Sequence, residues 1–363
     1  MIKQLGRFVV SLIAGANVAT VVLMLLVGFS DRLSPQDHPL LCCAGMFFPF
    51  FLLVNLAFLF FWLLFSWRKA WIPVVGFLLA YVPIRIYCPL NFSPSPPEGA
   101  LKVMTYNVCT YGGNFKYDDA ADRILEYLDR ESPDIVCFQE DISNKREVRR
   151  KLADRYAYND TVLFCRNAEN ENAVGIHTRF PILRRERIEY QSNANGSVAW
   201  FLLIDTDTVV VVNNHLEGTH ISTEDREKYQ DILKGDVQRR EAQKESMLLV
   251  DKLGKSMVRR APEAEAVHEF IEAHRQYPII VCGDFNDTPI SYTRHVISQG
   301  LTDCFREAGR GLGLSYNQKG FNFRIDYLFC SSHFEPFDCR VDSKVDYSDH
   351  YPLVGWLKMK DNP

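Results

Sequence analysis

The chain has 363 residues, 47% of them hydrophobic, and a formal net charge of −4. The charge is unevenly divided: residues 1–100 carry six Lys/Arg and three acids, leaving 35 basic against 42 acidic residues beyond them, a balance of −7. This composition excludes a coiled coil, a collagen-like chain and a disordered tail; the apolar part is too short for a polytopic transporter, and the acidic remainder disfavours a strongly basic nucleic-acid module.

Phe8 to Ser30 is free of charge and matches the roughly 20 residues a helix needs to cross a bilayer core. Pro39–Trp67 is a second uncharged run, rich in Phe and Leu. A third, Ala70–Ile84, extends to Cys88 if Arg85 snorkels, although Pro73 and Pro83 weaken it. The reading is a multi-pass membrane region over residues 1–90, with three helices at about 8–30, 39–67 and 70–88. Lys3 and Arg7 suit a signal-peptide n-region, but the first run is long and two more follow, so a retained anchor is expected. Lys3, Arg7, Arg68 and Lys69 place the N-terminus and the second turn in the cytoplasm. Three spans then deliver everything after Cys88 to the non-cytoplasmic side; two would leave it cytoplasmic. Asn91–Gly99 (NFSPSPPEG) reads as a short stiff linker within residues 91–100.

Residues 101–363 read as one α/β domain. Strands are expected at Leu101–Asn107, Ile135–Gln139, Val198–Ile204, Thr208–Asn214, Ile279–Cys282, Ile325–Cys330 and Val354–Leu357. Helices are expected at Asp118–Arg130, Thr223–Leu253, Pro262–Arg275 and Ser291–Gln299, with Pro262 in a first-turn position. Ten cysteines show no C-x-x-C, so zinc is not indicated. Cys330 and Cys339 could pair in an oxidising compartment.

Polar side chains close several of these apolar strands. Asn107 follows VMTY, Glu140 follows IVCFQ, His215 follows VVVVNN, and Asp284 and Asn286 follow IIVCG. Asp326 lies in FRIDYLF, and Asp349 and His350 close VDYSDH. Any one of these is ordinary for a strand end. Together they supply hard oxygen donors, an amide and two imidazoles, a set suited to Mg2+ or Mn2+ and to phosphoryl chemistry. Asp284 and Asn286 alternate by two, so an extended GDFN segment would point both the same way.

The segments TYNV (Thr105–Val108), PDIVCFQE (Pro133–Glu140), VVNNHL (Val211–Leu216), GDFNDTP (Gly283–Pro289), RIDYLF (Arg324–Phe329) and SDHYPLV (Ser348–Val354) resemble, in order, the endonuclease/exonuclease/phosphatase superfamily. That superfamily contains deoxyribonuclease I-like enzymes, apurinic endonucleases, neutral sphingomyelinases and inositol polyphosphate phosphatases. The resemblance implies a four-layered α/β sandwich, two packed mixed β-sheets flanked by helices, preceded here by the helical transmembrane region. It implies a divalent-metal-dependent phosphoesterase, with Glu140 as primary metal ligand and Asn107 and Asp349 beside the ion. By the same resemblance Asp284 positions or deprotonates the attacking water and Asn286 binds phosphate. His350 is the imidazole at the phosphate, Asp326 holds its tautomer, and His215 donates to phosphate or leaving group. The substrate is a phosphate ester of nucleic acid or of a phospholipid head group. The acidic balance weighs against nucleic acid and the membrane tether suits lipid, which leaves the two readings standing equal, with small phosphomonoesters third. The membrane is engaged through the N-terminal helices, and no protein partner is inferred. The alternative is a non-catalytic, membrane-tethered binding protein that retains the fold.

Other polar residues carry plainer readings. His177 is expected to be structural. Arg179, Arg184, Arg185 and Arg187 form a solvated face, and Arg239, Arg240, Arg259 and Arg260 are surface charge on helices. Tyr111, Gly112 and Gly113 are candidates for a substrate-facing loop.

Overall fold

Alternation of apolar side chains decides the architecture beyond residue 100. In the computed structural model, which describes residues 2–360 except 93, 113–116, 143–145, 167–170, 193, 236, 237, 319 and 320, these runs form fourteen strands. In chain order they are β1 (Leu101–Asn107), β2 (Ile135–Gln139), β3 (Tyr158–Arg166), β4 (Glu171–Thr178), β5 (Ile182–Ile188), β6 (Gly196–Ile204) and β7 (Asp207–His215). There follow β8 (Ile279–Asp284), β9 (Thr302–Asp303), β10 (Tyr316–Gln318), β11 (Phe321–Phe323), β12 (Asp326–Cys330), β13 (Phe334–Val341) and β14 (Leu353–Met359). One sheet has the order β13-β14-β1-β2-β4-β3, the other β5-β6-β7-β8-β12-β9, and β10-β11 is a separate hairpin. Both large sheets are mixed, since β1 pairs β2 and β7 pairs β8 in parallel while the remaining pairs run antiparallel.

The sheets pack face to face over Val103, Cys137, Trp200, Val211, Cys282 and Leu328. On the outer face of the first sheet, Ile124, Leu125 and Leu128 of helix Ala120–Glu131 cover Met104, Tyr106 and Phe138. On the outer face of the second, Ala264, Val267 and Ile271 of helix Arg239–Ala273 cover Phe201, Val210 and Val281. The four-layered sandwich implied by the sequence is therefore present. The edge strand β5, four of whose seven residues are arginine or glutamate, and the strands β3, β4 and β13 were not anticipated. In β5, Arg184 pairs with Glu186 and Arg185 with Asp160, as a solvated face requires.

Two expectations need correction. Pro262 does not open a helix: it lies inside the single helix Arg239–Ala273, which replaces the separate helices expected there, while Thr223–Lys234 stands alone and ends at Gly235. Proline removes one interior hydrogen bond, and the buried flanks Ala261, Glu263 and Ala264 hold the helix together across it. Arg260 is not surface charge. It is fully buried, donates from Nη1 to the Glu217 carbonyl at 2.6 Å, and lies 3.4 Å from Asp287. Cys330 faces Cys304 at 3.7 Å rather than bonding Cys339, and both Cys330 and Cys339 are free thiols.

Two helices, Gln4–Arg32 and Pro39–Phe65, are long and apolar enough to cross a membrane; a third candidate, Trp67–Leu79 with Tyr81–Tyr87, is bent by 66°. Asn17 donates to Asn55 at 3.0 Å and accepts from Trp62 Nε1 at 2.9 Å. Interhelical polar bonds of this kind fix helix pairing where no hydrophobic drive exists between helices. These helices dock onto the sandwich. Gly45 lies so close to the Ile290 carbonyl that a Cβ there would collide with it. Arg324 donates to the Ile86 carbonyl, and Arg85 donates to the Arg306 carbonyl at 2.7 Å. Asn91, at the start of the expected linker, is pinned to Arg306 and Gly309.

Glu263, one turn from Arg260, accepts the Glu217 N–H at 2.7 Å. Burial pushes its carboxyl up to about 7, against an ordinary value of 4.5, with the Glu217 amide opposing the shift. Folding therefore takes up a proton between these two values, so stability is highest below the lower one and falls as pH rises through the window. Glu263→Gln is expected to melt above the wild type at pH 8, by at most ~3 kcal/mol, with the gap closing towards pH 4.5. Melting of both proteins across that range measures it.

Candidate active site

Side chains two apart on a strand share a face, and five strands end their core-facing series in a polar group. In β1 the inward series is Val103, Thr105, Asn107; in β2 it is Cys137, Gln139. In β7 it is Val209, Val211, Asn213, His215; in β8, Ile280, Cys282, Asp284; in β12, read backwards, Cys330, Leu328, Asp326. Register aligns them: His215 lies opposite Asp284, and Asp284 opposite Asp326, so the three form one row across the second sheet. Gln139 donates to Asn213 at 2.6 Å, closing the space between the sheets just beneath that row. Gly283 has φ +129, and a Cβ there would strike the Asn214 carbonyl of β7; glycine is needed immediately before Asp284.

Asp284 is the meeting point. Its Oδ2 lies 3.2 Å from Asn107 Nδ2, 3.5 Å from His350 Nε2 and 3.8 Å from His215 Nε2. Asn107 Nδ2 also reaches Glu140 Oε1 at 3.2 Å, so one amide bridges Glu140 on its own sheet and Asp284 on the other. His350 Nδ1 is 2.8 Å from Asp326 Oδ2. Burial opposes a charge on His350, but Asp326 and Asp284, and then Asp349, overcome it and hold the ring protonated well above its ordinary range. Burial lowers His215, partly offset by Asp284; its Nδ1 sits 3.1 Å from Asn172 Oδ1, leaving Nε2 turned to Asp284. Burial likewise raises Asp284, with His350 opposing.

The structure thus gathers Asn107, Glu140, His215, Asp284, Asp326 and His350, with Asp349 beside them. Asn286 is reached differently from the expectation. It has φ +52, so the GDFN segment is not extended and the two side chains do not align by alternation. Its N–H donates to Asp284 Oδ1 at 2.8 Å and its Nδ2 to the Leu216 carbonyl at 2.9 Å, tying the loops after β8 and β7.

Which groups could hold a cation follows from charge. Asp284, Asp326 and His350 bring ligand-type atoms within 4.8 Å of one another. His350 Nδ1 is taken by Asp326, so within that trio the imidazole offers only Nε2 to an ion. On the other side, the interior position of Glu140 and the charge of Asp349 push its carboxyl up to about 7. Carboxylates crowded in this way, with one imidazolium as counter-charge, fit a hard divalent cation held by Glu140, Asn107 and Asp349.

Sequence reading missed what holds Glu140 in place. Glu140 itself has φ +53, and Cys109, Thr110, Tyr111 and Gly112, just after Asn107, run at φ +45, +51, +60 and +75. Left-handed backbone costs non-glycine residues roughly 1–2 kcal/mol each, and such strain persists only where the surroundings over-determine it. The next residue, Asp141, joins both strained segments. Its carboxylate accepts from Tyr111 OH at 2.5 Å and Thr161 Oγ1 at 2.7 Å, and lies 3.2 Å from His177 Nε2. Burial would raise Asp141, but His177 and these hydrogen bonds hold it below its ordinary value. Tyr111 is accordingly a buried anchor and not a substrate-facing side chain; Gly113 lies outside the described residues. His177 is structural, as expected. Beside the site the Tyr316 ring lies 5.1 Å from that of His350, with the Arg226 guanidinium 5.8 Å from the Tyr316 ring, a cation no motif had indicated.

The sequence profile of the endonuclease/exonuclease/phosphatase family matches residues 104–350. The chain belongs to that family. A second profile, for a domain of unknown function, matches residues 10–87. No curated protein matches the chain. Among solved structures it is similar to an endonuclease/exonuclease/phosphatase protein from Beutenbergia cavernae, at 17% identity and a TM-score of 0.52, covering 73% of this chain and 72% of that one. It is also similar to the human nocturnin catalytic domain with bound sulfate, at 15% identity and TM-score 0.50, covering 73% and 96%. A functionally unknown conserved protein from Enterococcus faecalis matches at 15% identity and TM-score 0.50, covering 72% and 100%. These likenesses show the shared fold.

Asp141→Asn should leave the chain folded but raise the Mg2+ concentration needed for half-maximal phosphoester turnover ~10–100-fold, as loss of a group supporting a metal ligand does. Excess Mg2+ should restore the rate. A lower melting temperature with an unchanged Mg2+ requirement would reduce Asp141 to a packing role.

Proposed function

We propose that this protein is a membrane-anchored, divalent-cation-dependent phosphoesterase, hydrolysing phosphodiester or phosphomonoester bonds. Residues 101–363 form the catalytic unit, residues 1–90 the membrane region, and 91–100 the join. The observation that carries the proposal is the row His215–Asp284–Asp326 closed by His350 and faced by Asn107 and Glu140.

Glu140, Asn107 and Asp349 would hold Mg2+ or Mn2+, which when bound polarises a phosphoryl oxygen and offsets developing negative charge. Asp284 orients the attacking water and takes its proton, its raised affinity for protons suiting it to that task. His350, charged and fixed by Asp326, donates from Nε2 to the phosphoryl oxygens, where charge grows in the transition state. Asn286 anchors the phosphate from its left-handed turn. His215, held at Nδ1 by Asn172, presents Nε2 to the leaving oxygen. On topology, the apolar helices meet the sandwich through the segments near Asp31, Gly45 and Ile86. Three passes ending on one side account for those contacts and support a non-cytoplasmic catalytic unit, opposite Arg68 and Lys69.

The test is turnover of bis(p-nitrophenyl) phosphate by the full chain in detergent micelles with Mg2+ or Mn2+. A chelator should abolish it and added cation restore it. Asp284→Ala and His350→Ala should each lower the rate at least ~100-fold while the melting transition stays cooperative. Activity retained in either folded variant would reject the assignment.

A further inference from the structure

The edge of the sandwich that holds the candidate site is also the edge that grips the apolar helices. β8 ends at Asp284, and the chain then runs to Ile290, which is buried among Met24, Phe48, Ala80 and Ile86 of those helices. Arg324, two residues before Asp326, is buried and bonded to the last turn of helix Tyr81–Tyr87 through the Ile86 carbonyl. The loop after His215 is held by Arg260 and Glu263 on helix Arg239–Ala273. One to two turns earlier on that helix, Gly254 abuts Pro39 and Met257 lies 3.7 Å from Cys43, at the start of an apolar helix long enough to span. Three of the converging strand ends are thus fastened to the apolar bundle through short, buried connections.

The same long helix extends past this contact. Leu249 and Val250 pack on the cluster of Cys42, Cys43, Leu253 and Met257, while Met247 and Leu248 remain 67% and 47% exposed. On the adjoining helix, Leu40 and Leu41 are 63% and 56% exposed. Exposed Arg239, Arg240 and Lys244, interspersed with Glu241 and Glu245, lie just N-terminal to Met247 and leave that stretch net basic by one charge. An apolar patch continuous with a membrane-crossing helix and followed by basic residues is the pattern of a helix lying in the head-group layer. The occupant of this face is the bilayer.

We infer that the substrate is a phosphate ester carried by a membrane lipid, presented to the site at the level of the head groups. The inference rests on the phosphoesterase reading above and narrows it. A soluble polyanion such as nucleic acid is disfavoured by the same geometry, because it would have to approach an acidic domain at its membrane-docked edge. A lipid head group is already there, at the high local concentration of a two-dimensional surface.

The experiment uses the full chain in lipid nanodiscs with Mg2+. Three classes of substrate are compared: phosphatidylethanolamine, phosphatidylglycerol and phosphatidic acid within the disc, bis(p-nitrophenyl) phosphate in solution, and a single-stranded oligodeoxynucleotide. Released head group or phosphate is read by 31P NMR. The expected result is cleavage of at least one lipid at a rate that follows its mole fraction in the disc, above the rate on the oligonucleotide. The double variant Met247→Asp, Leu248→Asp should lose at least ~10-fold on lipid and keep its rate on bis(p-nitrophenyl) phosphate. Metal-dependent cleavage of the soluble diester with no lipid cleavage, or a preference for the oligonucleotide, overturns the lipid inference and leaves the phosphoesterase standing. No turnover of any of the three overturns both.

Discussion

A carboxylate buried as deeply as Asp284, 1% exposed, cannot remain charged in a protein interior without compensation. The site is built around that requirement. His350, His215 and Asn107 all turn a nitrogen towards one oxygen of Asp284, and its other oxygen takes the Asn286 amide. Each of those groups comes from a different strand or loop, so satisfying one carboxylate gathers the site. The compensation is incomplete. Glu140 is raised in proton affinity first by burial and then by the nearby charge of Asp349, with the Asn107 amide and His350 only partly opposing. Catalytic sites commonly hold such unresolved charge, which the folded chain alone has no reason to keep.

The placement follows from strand periodicity. An inward residue stands every second position, and sheet register carries the row from β7 through β8 to β12. Where the two sheets end together, the last inward positions stay buried, with Asn107, Asp284 and Asp326 each 1% exposed. Polar groups there must therefore find their partners in one another. The Gln139–Asn213 clamp marks the transition: below it the inter-sheet space is filled by residues such as Trp200 and Val211, above it by ionisable groups.

Much of this was legible in the sequence because apolar runs that stop at a polar residue are visible in one dimension. β1 and β2 were read with their observed ends, and the β6–β7 hairpin within two residues. What escaped reading depends on distant partners. Arg260 looks like any helix-surface arginine until the Glu217 carbonyl, 43 residues earlier, fills its side of the helix. The GDFN segment reads as extended because alternation is the only rule available to a sequence. Its turn at Asn286 is imposed by the Asp284 carboxylate and the Leu216 carbonyl. β5 escaped because its outward arginines hide an edge strand. Asp141 stood next to Glu140 in plain view, yet its role needs Tyr111, Thr161 and His177, drawn from three other segments.

The apolar helices change the meaning of the site as well as its address. A flexible tether would raise the local concentration of substrate and leave orientation free. Here Asn91 is bonded back to the domain within four residues of the last apolar helix, and Ile290 and Arg324 bind the bundle to the loops that carry Asp284 and Asp326. Orientation is therefore set by the same contacts that position the loops around Asp284 and Asp326. Displacing the bundle would uncover Ile290 and Arg324 and leave Arg324, already short of partners at Nε and Nη1, with one bond fewer. The Ile86 carbonyl gives Arg324 its hydrogen bond and the bundle gives Ile290 its apolar cover, so the apolar helices and the loops that carry Asp284 and Asp326 hold one another in place.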